Sequence, residues 1–279
     1  MSAQYTILIT GCSTGIGHAL AKTLHARGQR VIATARKLES LQDLTALGIV
    51  TRFLDVNDVA SRQALVDELS LLQLTPNMLI NNAGYGAMGP LAEMPFATLA
   101  AQFETNVLSL MAMTQAVIPG MVAQKRGRIV NLGSVSGVLT TPFAGAYCAT
   151  KAAVHALSDA LRMELAPFGI DVIIVQPGGI QSEFGATASR DVQARQAGLS
   201  LYAPLADAIA KRAGASQQQA TSVQDFVDAM SDAILAPTAE PVVRLGHGST
   251  LLPMVQRWLP VRLRDRILSR RFGLAQWRP

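Results

Sequence analysis

The sequence predicts a single doubly wound α/β domain, in which a seven-stranded, mostly parallel sheet carries helices on both faces. Short runs of β-branched and aliphatic residues alternate with helical segments at a spacing of roughly 30 residues, the length of one strand–helix–strand unit. The first of these runs leads directly into a glycine-rich turn that opens a helix. The 279 residues are enough to bury one large core.

The composition is typical of a globular protein and argues against several other classes. Hydrophobic residues make up 49% of the chain and charged residues 15%, which excludes a disordered protein. The net charge of +5 is concentrated after Leu251, where seven arginines accompany one acid, Asp265. Because no basic stretch is interleaved with aromatic residues, we expect no nucleic-acid binding.

The cysteines and the apolar segments indicate a cytoplasmic protein. Cys12 and Cys148 do not make a disulfide framework. Strand-like sequence begins at Tyr5, so we expect no signal peptide. The charge-free run 107–123 is interrupted by Pro119-Gly120, so we expect a buried helix there and not a membrane span, which requires about 18–20 apolar residues.

Strands are predicted where short apolar, β-branched runs are bounded by turn residues. They cover 5–10, 30–35, 50–54, 78–80, 127–132, 171–176 and 241–245, the last at an edge of the sheet.

Helices are predicted between these strands from apolar residues at helical spacing. They cover 18–27, 38–47, 59–72, 96–117, 147–168, 204–213 and 223–235. Gly28 and Gly48 end the first two helices, and Asn57-Asp58 is placed to cap the third.

The segment Gly11-Cys12-Ser13-Thr14-Gly15-Ile16-Gly17 joins the first strand to the first helix. Glycine permits a tight bend there and a close approach of the backbone to a pyrophosphate, while the helix N-terminus offers free N–H groups. The pattern favours dinucleotide binding. A tight turn without a ligand is the alternative.

The end of the second strand indicates which dinucleotide binds. An acid at this place would accept a ribose 2′-OH, but Ala35 occupies it and Arg36 and Lys37 follow. A guanidinium pairs well with a 2′-phosphate, so we expect NADP(H); the alternative is a solvated strand end. Asp55, after the third strand, can bond an adenine amino group or only local backbone amides.

Two polar features lie in the middle of the chain. Tyr147 and Lys151 are four residues apart, so on a helix they share one face and the ammonium would favour the phenolate, although such pairs are common on ordinary helix surfaces. Asn106 lies inside a predicted helix, either as a buried amide that satisfies a kinked backbone or as part of an active site.

Together and in order, these segments resemble the short-chain dehydrogenase/reductase family over about residues 3–246. The matching motifs are Thr10-Gly11-xxx-Gly15-x-Gly17, Asn81-Asn82-Ala83-Gly84, Asn106, Ser134, Tyr147-xxx-Lys151 and Pro177-Gly178-x-Ile180-x-Ser182. The resemblance implies a Rossmann-type domain and an NADP-dependent oxidoreductase that acts on CH–OH donors. The segment 34–36 and the basic tail are similar to members related to 17-beta-hydroxysteroid and retinol dehydrogenases and acyl-dihydroxyacetone-phosphate reductases.

The resemblance also implies residue roles. Tyr147 would be the general acid/base, Lys151 would lower its pKa and hold the nicotinamide ribose, and Ser134 would bind the substrate oxygen. Asn106 would hold a water in a proton relay through Lys151. The implied cofactor-binding residues are Gly11, Ser13, Thr14, Gly15, Ile16, Gly17, Arg36, Lys37, Asp55, Val56, Asn82, Ala83, Gly84, Tyr147, Lys151, Pro177, Gly178, Ile180 and Ser182, with no metal.

Two positions depart from the family pattern. Ser182 stands where Thr is more common, and Thr14 stands where many NADP-dependent members carry a basic residue. The expected NADP(H) specificity therefore depends on Arg36, with Lys37 as additional help.

Segment 183–220 is predicted to be a substrate lid on the domain formed by residues 1–250. It contains one predicted helix, and Gly185, Gly198 and Gly214 act as joints. Its apolar residues are Phe184, Leu199, Leu201 and Leu205, which indicate a bulky apolar substrate such as a steroid, a retinoid or a lipid-like molecule. A helix pair that stays packed on the core is the alternative.

Residues 251–279 form a basic amphipathic extension. It can lie on an anionic membrane surface, fold over the substrate cleft or pack against another subunit. We expect a homodimer or homotetramer, with helices 96–118 and 147–166 as interface elements. The alternative function is a non-catalytic NADP(H)-binding sensor or scaffold, which the complete motif set disfavours.

Overall fold

The computed structural model describes residues 4–277 and contains one seven-stranded sheet in which every ladder is parallel. The strands are β1 (Thr6–Ile9), β2 (Arg30–Ala35), β3 (Val50–Phe53), β4 (Met78–Asn81), β5 (Gly127–Leu132), β6 (Ile170–Pro177) and β7 (Val242–Leu245), in the order β3-β2-β1-β4-β5-β6-β7. The prediction of a doubly wound Rossmann-type sheet with β7 at an edge is confirmed.

The helices lie between and after these strands. They are α1 (Gly15–Ala26), α2 (Gln42–Ala46), α3 (Val59–Leu71), α4 (Phe96–Phe103), α5 (Ser109–Ala123), α6 (Gly145–Leu165), α7 (Glu183–Arg195), α8 (Ala206–Ala213), α9 (Val223–Leu235), α10 (Leu251–Trp258) and α11 (Val261–Arg271). The Asp58 carboxylate caps α3, since it accepts hydrogen bonds from the amides of Ala60 and Ser61.

The core has two layers because alternate residues of each strand point to opposite faces. Ile7 and Ile9 pack with α1 and α9 on one face. Leu8 packs with α3, α5 and α6 on the other. Both faces of the sheet are therefore covered, which explains why its strands read as continuous apolar runs in the sequence.

The segment Phe96–Ala123 is a continuous helical run of 28 residues, formed by α4, a π-helical turn at Glu104–Leu108, and α5. The prediction that Pro119-Gly120 interrupts it is wrong, because the flanking residues Val117 and Met121 are packed against the sheet and hold the helix past the proline. By length and composition alone this helix is able to cross a membrane, since an 18-residue stretch of it has a mean hydropathy of 1.4. In the structure, 44% of that stretch is buried inside the protein.

The segment after β6 is more helical than predicted. The predicted helix 204–213 is present as α8, and a further helix, α7, precedes it and packs against it. Gly185 is a buried residue inside α7 and not a joint; a Cβ there would lie 2.7 Å from the Gln217 side chain. Only Gly185, Ala188 and Val192 of α7 are buried, so most of its sequence is polar. Apolar residues at helical spacing therefore did not predict this helix.

A buried polar network ties the centre of the sheet to its helices. Asn81 Nδ2 donates hydrogen bonds to Thr114 Oγ1 at 3.0 Å and to Asn131 Oδ1 at 2.9 Å. Asn131 Nδ2 in turn donates to Ser158 Oγ at 2.9 Å. The network joins α5, β4, β5 and α6, and so fixes α6 against the carboxyl end of β5.

Candidate active site

The glycine turn lies at the carboxyl end of β1, where the strand order reverses between β1 and β4. Gly11 and Gly15 adopt positive φ angles of 73° and 63°, which side-chain-bearing residues rarely adopt. A Cβ on Gly17 would lie 2.4 Å from Asn82 Nδ2. Asn82 Nδ2 donates to the carbonyl oxygens of Thr10 and Gly11, each at 2.9 Å, so the β4 turn braces the glycine turn.

The residues of this turn fit a dinucleotide pyrophosphate. Thr14 precedes α1 in an extended conformation, its side chain makes no capping hydrogen bond, and no acid lies in the first turn. The first N–H groups of α1 therefore remain available to an anion. The Cβ position of Gly15 is 3.8 Å from Ser182 Cβ, so the turn faces the segment after β6 across a narrow crevice. Ser13 is exposed and Ile16 half-buried beside it.

The carboxyl ends of β2 and β3 contribute the predicted specificity residues. Arg36 and Lys37 are exposed next to the buried Ala35. Asp55 is half-buried, and its Oδ1 accepts a hydrogen bond from the Asn57 amide at 3.0 Å. This oxygen therefore bonds a local backbone amide, as the alternative to adenine binding expects. Val56 is buried in the core beneath this edge.

The segment after β6 forms the opposite wall of the crevice. A Cβ on Gly178 would lie 2.0 Å from the carbonyl oxygen of His247, so the backbones pass in direct contact. Ile180 is buried, and its carbonyl accepts from Gln217 Nε2 at 3.1 Å. The Ser182 amide donates to Gln217 Oε1 at 3.2 Å. Pro177, the last residue of β6, completes this wall.

Asn106 lies in the π-helical turn, and both its amide oxygen and its amide nitrogen bond to other residues of the protein. The Tyr85 amide donates to Asn106 Oδ1 at 3.0 Å. Asn106 Nδ2 donates to the Tyr85 carbonyl at 2.8 Å and to Thr150 Oγ1 at 3.1 Å. Asn106 is therefore a buried amide that satisfies local backbone groups, which was one of its two interpretations. It also holds the turn after β4 against α6. A Cβ on Gly84 would lie 3.1 Å from Asn106 Oδ1 and 3.9 Å from Lys151 Nζ, which brings these groups together.

Tyr147 and Ser134 are buried side by side at the carboxyl end of β5. They are 8% and 7% exposed. Burial raises the pKa of Tyr147 to about 12, against an opposing hydrogen bond from Ser134. The Tyr147 ring packs against Phe184 of α7, with 5.2 Å between the centroids. The phenol is therefore protonated at neutral pH.

Lys151 lies one helical turn after Tyr147 but contacts the sheet. Its Nζ donates to the Leu132 carbonyl oxygen at 2.6 Å and lies 5.8 Å from the centroid of the Tyr147 ring. Burial lowers the pKa of Lys151 to about 8. Burial is the largest cause of the raised Tyr147 pKa, and the groups that oppose it are Ser134 and Arg212. The expected lowering of this pKa by Lys151 stays a prediction.

The sequence reasoning missed His155, which lies one further turn along α6. Its Nε2 accepts a hydrogen bond from the Ser134 amide at 3.4 Å. Cβ atoms on Gly133 and Gly137 would lie 2.6 Å and 2.7 Å from the His155 ring, so both glycines make room for it. Burial, followed by the Lys151 charge, lowers the pKa of His155 to about 4. The four-residue spacing from Lys151 was a signal that could have identified it.

An apolar cluster built from four parts of the chain covers Tyr147. Its buried members are Met88, Phe143, Ala144, Tyr147, Cys148, Ala188, Val192, Leu205, Ile209 and Ala213, and Phe272, Leu274 and Trp277 of the tail pack against them. The Trp277 ring stacks on Tyr202, with 5.5 Å between the centroids. The end of the tail therefore packs over the predicted lid, while Arg278 lies outside the described residues.

The fold and this site are those of a nicotinamide-dependent oxidoreductase, and the sequence comparison identifies the family. The sequence profile of the short chain dehydrogenase family matches residues 5–193. The chain belongs to the short-chain dehydrogenase/reductase family. The match ends within α7, so α8 to α11 lie beyond it.

Three curated relatives are similar to about two thirds of the chain. The oxidoreductase YbbO of Escherichia coli is 39% identical over 184 residues, which is 65% of this chain and 68% of that protein. The NADPH-dependent 1-acyldihydroxyacetone phosphate reductase of Schizosaccharomyces pombe is 37% identical over 66% of this chain and 62% of its own length. The 3-ketodihydrosphingosine reductase of Bacteroides thetaiotaomicron is 38% identical over 64% and 65%.

Solved structures extend the similarity of fold to almost the whole chain. A short-chain dehydrogenase from Streptomyces avermitilis is 28% identical, with a TM-score of 0.75 over 99% of this chain and 97% of that chain. A short chain dehydrogenase from Burkholderia cenocepacia, in complex with NADP, is 25% identical, with a TM-score of 0.76 over 96% of this chain and 99% of that chain.

Proposed function

We propose that the protein is an NADP(H)-dependent carbonyl reductase or alcohol dehydrogenase for a bulky apolar substrate. The observation that carries the proposal is the arrangement of Ser134, Tyr147 and Lys151 at the end of β5, beside the apolar cluster that covers the phenol. A proton donor, a second hydroxyl and a buried cation are the groups that a carbonyl reduction needs from the protein.

The protonated Tyr147 suits the role of proton donor in the reducing direction. With a pKa raised to about 12 by burial, the phenol carries its proton at neutral pH and can donate it to a carbonyl oxygen as that oxygen gains negative charge. The Ser134 hydroxyl would donate a second hydrogen bond to the same oxygen. NADPH supplies the hydride when it is bound.

Three parts of the site would hold the cofactor. The glycine turn and the N-terminus of α1 would bind the pyrophosphate, and Lys151 would donate to the nicotinamide ribose. Arg36 and Lys37 would pair with the 2′-phosphate, since they are exposed at the carboxyl end of β2 and no acid occupies position 35. The NADPH dependence named for the Schizosaccharomyces pombe relative supports this choice.

The substrate proposal rests on the apolar cluster and on the relatives. Phe143, Phe184 and Ile209 line the surroundings of Tyr147 with aromatic and aliphatic surface. The reductases of 1-acyldihydroxyacetone phosphate and 3-ketodihydrosphingosine are named for carbonyl compounds with lipid chains. We therefore place the substrate of this chain among long-chain or lipid-like ketones and aldehydes.

The direct test is an activity screen of the purified full chain with NADPH. The loss of the absorbance of the reduced nicotinamide ring is followed with ketosteroids, retinal, long-chain aldehydes and acyl-dihydroxyacetone phosphate. We expect turnover with at least one apolar carbonyl compound and none with small hydrophilic ones. Tight NADPH binding without turnover across the whole panel would instead favour the sensor or scaffold.

We also propose that the protein is cytoplasmic and that α10 and α11 rest on an anionic membrane surface. Their exposed large apolar residues are Leu251, Met254, Trp258, Val261, Leu263 and Ile267, and their arginines are Arg257, Arg262, Arg264, Arg266, Arg270 and Arg271. This combination suits the interface of an anionic bilayer. Flotation with anionic vesicles should be strong for the unmodified protein, weak for Trp258→Ser, and unchanged for Leu71→Ser on the remote helix α3. Equal flotation of the two variants would contradict the membrane proposal.

Exposed apolar residues on α4 to α6 support a homodimer or homotetramer. Phe96 is 81% exposed and Met163 is 68% exposed on the helices predicted as interface elements. Burying them against a second copy would remove this surface from water. Light scattering of the full chain should give the mass of a dimer or tetramer, and Phe96→Ser should lower it; a monomer at micromolar concentration would contradict this.

A further inference from the structure

Arg212 is a buried arginine in α8, in the segment that covers Tyr147. Its side chain is 8% exposed, and Nε donates to Thr141 Oγ1 at 2.9 Å. Its guanidinium carbon lies 6.0 Å from the centroid of the Phe272 ring. Among residues 4–277, neither Nη group has a hydrogen-bond acceptor and the guanidinium forms no ion pair.

Arg128, the other buried arginine among residues 4–277, shows how a structural guanidinium is satisfied. Arg128 is 2% exposed, its Nε and Nη2 donate to the Asp171 carboxylate, and its Nη1 donates to the carbonyls of Ile234 and Ala236. Arg212 has one neutral partner in place of these. Neither Nη atom of Arg212 is among the fully buried atoms that lack a partner, so both reach solvent from a side chain that is otherwise covered. The contrast with Arg128 therefore indicates a guanidinium that is open to an anion from outside the described chain.

The charges around Arg212 do not supply that partner. The titratable groups that act on it are Tyr147, Cys148 and Arg271, and Arg271 is a second cation. Burial, the largest cause, lowers the pKa of Arg212, and Arg271 lowers it further. An anion between these two cations would therefore remove a repulsion as well as fill vacant hydrogen-bond donors.

Arg212 lies beside the apolar cluster that the proposed function assigns to the substrate. Leu205, just before α8, and Ile209 and Ala213 on α8 belong to the apolar cluster that covers Tyr147. Its charge also acts on the Tyr147 phenol, where it opposes the effect of burial on the pKa. The guanidinium is thus a polar point in an otherwise apolar wall.

We propose that Arg212 binds the anionic group, a carboxylate or a phosphate, of an apolar carbonyl substrate, with Thr141 fixing the guanidinium through Nε. The assignment rests on the proposed function, and it narrows the substrate from apolar compounds in general to acidic amphiphiles. A guanidinium held at Nε presents its two Nη groups as a fork to two oxygens of one anion, which a neutral lipid cannot match.

Equilibrium binding tests the assignment without turnover. Dodecyl phosphate, dodecanoate, dodecanol and inorganic phosphate are titrated into the full chain by calorimetry. At least one of the two acidic amphiphiles should bind about tenfold or more tightly than dodecanol, a difference of about 1.4 kcal/mol. Arg212→Gln should remove this difference. Lys211→Gln, which removes the exposed charge next to it on α8, should retain it.

Two results would overturn the assignment. One is an equal preference for the acidic amphiphiles in the unmodified protein and in Arg212→Gln. The other is inorganic phosphate binding as tightly as dodecyl phosphate, which would make the site one for free anions. If Arg212→Gln does not fold, Arg212→Lys takes its place, because it keeps the charge and loses the paired Nη donors. This variant should retain part of the preference for acidic amphiphiles. A folded Arg212→Lys protein without that preference would count against the assignment.

A kinetic arm separates this assignment from the proposed function. A long-chain methyl ketone is compared with the keto acid of the same length, with NADPH at saturation. The keto acid should have about tenfold or higher kcat/KM in the unmodified protein and no advantage in Arg212→Gln. Absence of turnover with both, together with an intact binding difference, would refute the reductase and leave the anion site standing. Turnover without any preference for the keto acid over the methyl ketone would support the reductase and refute the anion site.

Discussion

Lys151 Nζ donates a 2.6 Å hydrogen bond to the carbonyl oxygen of Leu132, the last residue of β5. This bond fixes α6 to the strand that ends two residues before Ser134. The lysine is thus a fixed donor at the sheet edge and lies beside the ring of Tyr147 rather than its hydroxyl. In the proposed reduction, Lys151 would therefore hold and orient the cofactor while Tyr147 would donate the proton.

The pH dependence of cofactor binding tests the state of Lys151. Burial lowers the pKa of Lys151 to about 8, so its charge is lost as the pH rises through that value. We expect the KM for NADPH to be constant from pH 6 to 7.5 and to rise steeply above pH 8. Lys151→Arg should remove the rise, and Lys125→Gln on the exposed surface should retain it. A constant KM up to pH 10 in the unmodified protein would contradict this role.

His155 should make the fold sensitive to acid. The unfolded chain binds a proton at the ordinary histidine pKa near 6.5, whereas burial holds the folded pKa at about 4. Stability should therefore fall as the pH is lowered from 6.5 to 4, by at most about 3 kcal/mol. Denaturant unfolding of His155→Gln across this range should lack that part of the loss, while His25→Gln should behave like the unmodified protein. Parallel pH profiles for His155→Gln and the unmodified protein would rule this out.

Cofactor choice should depend on the charge at the end of β2. Arg36→Asp removes the group proposed to pair with the 2′-phosphate and supplies an acceptor for a ribose 2′-OH. We expect the ratio of kcat/KM for NADPH to that for NADH to fall by about 100-fold or more, in line with loss of charged hydrogen bonds of about 1.5–3 kcal/mol each. Arg30→Asp at the opposite end of the same strand is the control. A preference for NADH in the unmodified protein would overturn the NADP(H) proposal.

Gly17 should not tolerate a side chain. A Cβ there would lie 2.4 Å from Asn82 Nδ2 and 2.5 Å from the Gly11 carbonyl oxygen, so the brace between the two turns must break. Gly17→Ala should destabilise the fold by about 1–3 kcal/mol and weaken NADPH binding together with it. Gly198→Ala is a matched control, because nothing lies within 4 Å of its Cβ position. Normal NADPH affinity in a Gly17→Ala protein of unchanged stability would contradict the brace.

The sequence was sufficient for the sheet and for the elements around the crevice, because parallel strands buried on both faces give apolar runs that turn residues interrupt. It failed at α7, whose buried face consists of the small or short side chains of Gly185, Ala188 and Val192. It also failed at Pro119, where packing on the sheet outweighs the local cost of proline.

Some residues of the candidate site were predictable from the sequence, and others are brought together only by the fold. The Tyr147/Lys151 pair was predicted from its i, i+4 spacing, and Ser134 was predicted from the family resemblance. In the structure, α6 and the end of β5 bring the three residues together. The groups at Arg212, Phe272 and Trp277 come from elements distant in sequence and meet Tyr147 only through the fold of the lid and the tail. The direction of the Tyr147 pKa also depended on burial, which spacing does not give.

The most direct test of the central claim is the turnover of Tyr147→Phe with the best carbonyl substrate of the screen. The substitution removes only the phenol oxygen and leaves the ring packed against Phe184. We predict a loss of kcat of at least about 100-fold, at the lower bound of what a positioned acid contributes, with an NADPH dissociation constant within a few fold of the unmodified protein. Turnover within a few fold of the unmodified protein would contradict the assignment of Tyr147 as the proton donor.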